Sequence, residues 1–135
     1  MSIIQKDILF KGSKGQGSFP TLFDSGASYS CIRKDVADKL EILTPLPDKM
    51  IFSTADSKNT ITAQYRISVN FYLNQDRFSD EFIVIDDLSS DIIIGASTLQ
   101  KWRMKLDFDH DEILYDPKVT RLQIVFFKRK ACLLN

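Results

Sequence analysis

From Thr60 to Leu73 the chain reads TITAQYRISVNFYL, an apolar and polar alternation sustained over the whole stretch. Ile61, Ala63, Tyr65, Ile67, Val69, Phe71 and Leu73 fall on one face of an extended chain, with Thr60, Thr62, Gln64, Arg66, Ser68 and Asn70 on the other. A two-residue period suits a β-strand with one buried face, because a helix would wind the same residues around all its sides. Asn74 to Asp76 is a turn signal and RFSDEFIVID resumes the strand pattern, which predicts a hairpin. IIQKDILF and SFPTLF predict another, joined by KGSKGQG. Helical spacing is confined to two short stretches. In CIRKDVADKL, after Ser30, it gathers Ile32, Val36, Ala37 and Leu40, and in ASTLQKWRM, after Gly95, it gathers Leu99 and Trp102. KLDFDHDEILYD reads as a third hairpin and TRLQIVFFK as a last apolar strand. The expected fold class is all-β with one or two short helices. With no linker, repeat or low-complexity tract, residues 1–135 are expected to form a single domain, long enough to bury roughly two thirds of its unfolded surface.

Eighteen basic and eighteen acidic residues cancel, so no net field draws the chain toward nucleic acid or an anionic membrane. Cys31 and Cys132 are too few for a disulfide framework, and His110 alone supplies no set of zinc ligands. Neither a metal nor another cofactor is expected. No apolar run approaches the roughly 20 residues that span a bilayer. MSIIQKDILF carries Lys6 and Asp7 where a signal peptide would be apolar, so the expectation is a soluble, cytoplasmic protein without a membrane partner.

Several local patterns invite chemistry and fail on their neighbours. Gly12 and Gly17 have the spacing of a phosphate-binding loop, but Ser18 and Phe19 stand where a lysine and a hydroxyl must follow, so turn glycines are the better reading. Gly15-Gln16-Gly17 lacks the third glycine of a dinucleotide fingerprint. Cys31 with His110 has no surroundings resembling a nucleophile pair, and a buried structural cysteine is expected. Ser97 is not in a nucleophile elbow, and the carboxylates nearest His110, Asp109 and Asp111, read as turn residues. Lys128 to Lys130 reads as a solvated end.

Asp24 is different. In LFDSGASYSCI it ends an apolar run, is followed by Ser25, Gly26, Ala27 and Ser28, and leads into a short helix starting near Ser30. About seventy residues on, DIIIGASTLQKW repeats the logic, with a β-branched run, Gly95 and a second short helix. Alone, a D-S-G triplet commonly marks a strand-ending turn. Together, FDSGASYSCI and DIIIGASTLQKWRMKLDFDHDEI resemble the two signatures of the aspartic peptidase family, in its single-domain, retropepsin-like branch, across roughly Ile8 to Tyr115.

That resemblance implies a closed, barrel-like β protomer that forms a two-fold homodimer and hydrolyses peptide bonds without metal or cofactor. Such hydrolysis needs one carboxylate to activate water and a second, protonated carboxyl to donate to the scissile carbonyl. Two carboxyls about 3 Å apart share a proton and titrate as a pair. The chain has a single D-[ST]-G, so Asp24 would meet its copy at the dimer axis. Ser25 and Gly26 would support it, and Gly26, Ala27 and Ser28 would line an extended peptide substrate. MIFSTADSKNTIT stands where the family has its flap, making Thr54, Ala55 and Asp56 further substrate-contacting candidates, with Gly95 as the second-signature glycine. The flap segment TADSKN contains no glycine, unlike the glycine-rich viral flaps, and Ala96 and Ser97 stand where viral members often carry an arginine. The apolar cluster Leu122 to Phe127 is expected at the protomer core or dimer interface. A second reading stays open, a dimerisation or peptide-binding module of the same fold that cleaves slowly or not at all.

Overall fold

The computed structural model describes residues 3–53 and 58–121. β1 (Ile3–Lys11) and β2 (Gln16–Asp24) form the expected N-terminal hairpin, paired from Ile3↔Asp24 to Lys11↔Gln16. Then follow β3 (Cys31–Arg33), α1 (Lys34–Leu40), β4 (Thr44–Ser53), β5 (Thr60–Leu73), β6 (Asp76–Ile85), β7 (Ile92–Ile94) and α2 (Ala96–Lys101). A two-stranded ribbon, β8 (Lys105–Asp107) with β9 (Glu112–Leu114), and a 3-10 turn over Pro117–Thr120 complete the described chain.

Six strands close on themselves in the order β1-β2-β7-β3-β6-β5, and β4 attaches outside the ring. β5 makes this possible by dividing one edge between two partners. Its residues 70–72 pair with β1, closing the barrel, while its residues 60–66 pair with β4. Closure pairs both edges of these six strands and leaves β4 as the terminal strand of the sheet. Asn74 and Gln75, both at positive φ, turn β5 tightly into β6.

The alternation seen in β5 is the alternation that packs the barrel. Ile67, Val69, Phe71 and Leu73 are buried as expected. Tyr65 departs from the pattern at 37% exposed, because it lies between the main core and a smaller cluster of Cys31, Ala63, Ile83 and Ile85 beneath the β4–β5 hairpin. Phenylalanines fill the main core. Phe71 stacks on Phe78 at 5.4 Å, and Phe82 meets Phe10 edge-on at 5.7 Å. Phe10, Phe23, Phe71, Phe78 and Phe82 are all fully buried. Offset and edge-on pairs add to their large apolar burial, so the core is both greasy and geometrically specified.

Two expectations are corrected. The first helix does not start near Ser30. Cys31 to Arg33 are a strand, parallel to Ile83–Ile85, and the helix begins at Lys34. Ile32 has helical spacing to Val36, yet it is completely buried between two sheet neighbours, so tertiary pairing overrides the local period. Of the glycines of KGSKGQG, Gly12 and Gly15 occupy the hairpin turn, but Gly17, also read as a turn glycine, lies in β2 opposite Phe10, and none of the three has a positive φ. Gly12 is required by proximity instead, since a Cβ there would collide with the Leu40 carbonyl at the end of α1. Lys14 donates its backbone N–H to that carbonyl at 3.0 Å, and Ser13 holds the Glu41 carboxyl below the usual carboxylate range through side-chain and backbone hydrogen bonds. The turn therefore caps the helix.

Among the described residues, no helix is long and apolar enough to cross a membrane. The expected C-terminal strand and its apolar cluster, with Lys128 to Lys130 and Cys132, lie outside the described residues.

Candidate active site

β2 and β7 run parallel and adjacent, pairing Thr21↔Ile92, Leu22↔Ile93 and Phe23↔Ile94. Both strands therefore end at the same rim of the barrel. β2 delivers Asp24, Ser25 and Gly26 there, and β7 delivers Gly95. Phe23 points into the core, so its neighbour Asp24 points away from it and stays half-buried, while Ser25 and Gly26 are exposed.

The turn after Asp24 is held by its own carboxylate. Gly26 donates its backbone N–H to Asp24 Oδ1 at 2.8 Å, and the Ala27 N–H donates to the Asp24 carbonyl at 3.2 Å. Residues beyond β7 grip the turn from behind. Ala96 N–H donates to the Ala27 carbonyl at 2.7 Å and Ser97 N–H to the Ser28 carbonyl at 3.1 Å. Gly95 N–H donates to the buried Ser30 Oγ at 3.0 Å. Gly95 has room for nothing larger, since a Cβ would come within 2.5 Å of the Tyr29 carbonyl oxygen and 2.8 Å of that of Ala27. The two stretches singled out in the sequence are thus one interlocked backbone unit.

Met50 to Ser53 of β4 pair with Thr60 to Ala63 of β5, on either side of the segment read as the flap. Phe52 of β4 meets Tyr29 of the turn edge-on, ring centroids 5.8 Å apart. Thr54, Ala55 and Asp56 lie outside the described residues. A shallow groove of about 420 Å³ begins at Ser25 and runs over Ala96, Leu99, Met104, Leu106 and Phe108. A larger cavity of about 600 Å³ lies between β1, the β5–β6 turn and β9, and neither the Asp24 turn nor Gly95 lines it. Size alone does not mark the site here.

The competing constellations separate. Cys31 is buried, donates weakly to the Tyr29 carbonyl at 3.6 Å, and has its thiol pushed up to about 11 by burial, the reverse of an activated nucleophile. His110 Nδ1 sits 2.8 Å from Asp107 Oδ2, so the carboxylate beside it is Asp107, not the Asp109 or Asp111 nearest in sequence. Asp111 instead pairs with Lys6 at 3.3 Å. Among the described residues, no group of three or more His, Cys, Asp or Glu is arranged to hold a metal ion.

The sequence model of the retroviral aspartyl protease family matches residues 2–120. The chain belongs to that family. Among solved structures, the retroviral protease-like domain of Ddi1 from Leishmania major superposes with a TM-score of 0.66 at 21% identity, covering 86% of this chain and 90% of that one. Simian foamy virus (mac) protease aligns at a TM-score of 0.46 and 14% identity, over 76% of this chain and 97% of its own. No curated protein matches. The retropepsin-like fold expected from the two signatures is therefore the fold observed.

Three side chains at the site escaped the reading of the sequence. Ser30, Thr98 and Asp80 form a connected set behind the turn, Ser30 Oγ beside Thr98 Oγ1 and Thr98 donating to Asp80 Oδ2 at 2.6 Å. The hydroxyl at Ser30 is part of the first signature and was the available signal. Asp80 carried a signal too: in RFSDEF it shares strand parity with Phe78 and Phe82, an acid on the apolar face, flanked by the exposed Ser79 and Glu81.

Proposed function

We propose that this chain, acting as one domain over residues 1–135, is an aspartic endopeptidase whose catalytic acids are Asp24 and the Asp24 of a second copy. The carrying observation is the D-S-G turn, which ends β2 with its backbone locked to the second-signature residues Gly95 to Ser97 while its carboxylate side is left partly open. One chain supplies one such acid, and an isologous two-fold contact supplies the other from the same sequence.

In that assembly one Asp24, ionised, takes a proton from water as the oxygen attacks the scissile carbonyl carbon. The other, protonated, donates to the carbonyl oxygen. The resulting tetrahedral diol collapses as a proton passes to the leaving amide nitrogen, the C–N bond breaks, and the dyad again holds one proton. Ser25 would hydrogen-bond across the axis and fix the spacing of the two carboxyls. An extended peptide would lie along Gly26, Ala27 and Ser28 as an added strand, with the flap residues Thr54, Ala55 and Asp56 closing over it.

The test compares purified wild type with Asp24→Asn on a peptide library at acidic to neutral pH, with and without a statine-type transition-state mimic. Expected are cleavage by wild type, its block by the mimic, no cleavage by Asp24→Asn, and an unchanged dimer. Activity should fall more steeply than linearly on dilution through the dimer dissociation range. Equal cleavage by the two proteins would remove Asp24 from the mechanism. Peptide binding by both without cleavage would favour the non-catalytic module, the reading that a glycine-free flap keeps in play.

A further inference from the structure

We propose that Asp80 is a positioning residue for the catalytic turn, acting through Thr98 and Ser30, an inference that rests on the protease reading above. Counting protons fixes the direction of the chain. Thr98 has one hydroxyl hydrogen and donates it to the Asp80 carboxylate. Ser30 Oγ and Thr98 Oγ1 are bonded to each other, so the shared hydrogen is that of Ser30. The Ser30 oxygen in turn accepts the Gly95 N–H. Every dipole from Gly95 through Ser30 and Thr98 points the same way, toward one carboxylate, the arrangement in which each bond strengthens the next. Ser30 and Thr98 are buried, 2% and 0% exposed, so neither hydroxyl has water to fall back on.

Asp80 is itself fixed at both oxygens. Oδ1 accepts the Glu81 N–H at 2.8 Å and faces Lys101 Nζ at 3.4 Å, while Oδ2 takes Thr98. Trp102 adds a second clamp between the end of α2 and β6, donating its indole N–H to the Ser79 carbonyl at 3.1 Å. The chain thus ties β6 to the residue after β7, and the next two N–H groups, of Ala96 and Ser97, hold the carbonyls of Ala27 and Ser28. Displacement at Asp80 is passed to the backbone that presents Asp24. In a two-fold site the displacement acts on both carboxyls, and misplacing reacting groups by about 1 Å can cost on the order of 100-fold in rate.

The experiment uses the full chain. Asp80→Ala, Asp80→Asn, Thr98→Val and Thr98→Ser are compared with wild type for kcat, KM, thermal midpoint and dimer dissociation. Expected for Asp80→Ala and Thr98→Val, assayed below their midpoints, is a kcat lower by about tenfold or more with KM within about twofold. Thr98→Ser, which keeps the hydroxyl, restores kcat to near wild type. A role confined to stability predicts lower midpoints with kcat unchanged, and that result overturns the proposal, as does a Thr98→Ser variant no better than Thr98→Val. Should the two deletions fail to fold, Asp80→Asn keeps the shape, and amide hydrogen exchange then decides. Faster exchange confined to Gly95, Ala96, Ser97 and the Ala27 turn supports the relay, whereas uniform or absent acceleration refutes it. The exchange arm needs no activity, so a wild type that fails to cleave would sink the protease reading while leaving this one to be judged separately.

Discussion

Gly95→Ala is the substitution whose consequence the geometry fixes most tightly. Gly95 has φ −98°, a value any residue adopts, so backbone strain is not the issue. The added methyl is. It would lie 2.5 Å from the Tyr29 carbonyl oxygen, 2.7 Å from its carbon and 2.8 Å from the Ala27 oxygen, whereas ordinary contact begins near 3.4 Å. All three obstacles are backbone, and none can rotate aside. The second-signature residues and the Asp24 turn must separate by nearly an ångström, which breaks the 2.7 Å and 3.1 Å bonds from Ala96 and Ser97. Two lost backbone hydrogen bonds cost about 1 kcal/mol each. Overpacking adds about 1–3 kcal/mol. A total near 3–5 kcal/mol corresponds to a thermal midpoint lower by roughly 10–20 °C for a chain of this size. Gly26→Ala is the internal control, because among the described residues a Cβ there meets only the Asp24 Oδ1 atom, at 3.1 Å. It should cost little stability and still impair cleavage, since the crowded atom belongs to the proposed acid. Calorimetry or urea unfolding of both variants beside peptide cleavage makes the comparison. A Gly95→Ala protein melting within about 2 °C of wild type, or indistinguishable from Gly26→Ala, would show that the close approach of the two signatures is not what holds the turn.

Stability should decline at alkaline pH. The Cys31 thiol is pushed up from 9.0 to about 11 by burial, so folding favours its neutral form, and that contribution is complete below pH 9 and lost as pH rises through about 11. Two units correspond to at most about 2.7 kcal/mol. Tyr115, raised to about 12 first by burial and then by its hydrogen bond to Asp76, acts in the same direction at higher pH. Urea midpoints between pH 8 and 11 should fall less steeply for Cys31→Ala than for wild type, and parallel slopes would exclude the thiol as a cause. Phe52→Ala removes the edge-on contact with Tyr29, worth about 0.5–1.5 kcal/mol, and should raise KM by roughly two- to tenfold if the flap closes through that pair. Tyr29→Ala should do the same, and the double variant should add little; fully additive effects would mean the two rings act independently.

What the sequence disclosed follows from how local its causes are. β5 and its hairpin with β6 were readable because side-chain alternation is set by the strand itself, and α1 because Val36, Ala37 and Leu40 share one face. β3 was not readable. Three residues carry no measurable period, and Ile32 sits in a sheet only because β6 and β7 flank it. Tyr65 matched the alternation and still surfaced, since the pattern cannot say where one core ends and the next begins. The site divides in the same way. Asp24, Ser25, Gly26 and Gly95 lie in contiguous motifs, whereas Asp80 joins them only because α2 docks against β6 and brings Thr98 within 2.6 Å. Strand parity puts Asp80 on the face of Phe78 and Phe82, but which hydroxyl an acid there meets is settled only by the element that covers it.

The strand order also determines when such a site can exist. β2 and β7 are neighbours but parallel, so no tight turn can join them, and the chain must pass through β3, α1, β4, β5 and β6 before Gly95 reaches Asp24. Nothing in the LFDSGASYSCI stretch alone holds the Ala27 and Ser28 carbonyls; their donors, Ala96 and Ser97, arrive about seventy residues later. Loop closure over that length is entropically costly and is offset only when the barrel's apolar interior forms with it. The turn that presents Asp24 is therefore not a locally stable feature decorated with an acid. Its geometry is a property of the closed barrel, which is why a turn whose Ser25 and Gly26 are exposed is still held from beneath by residues that arrive late in the chain.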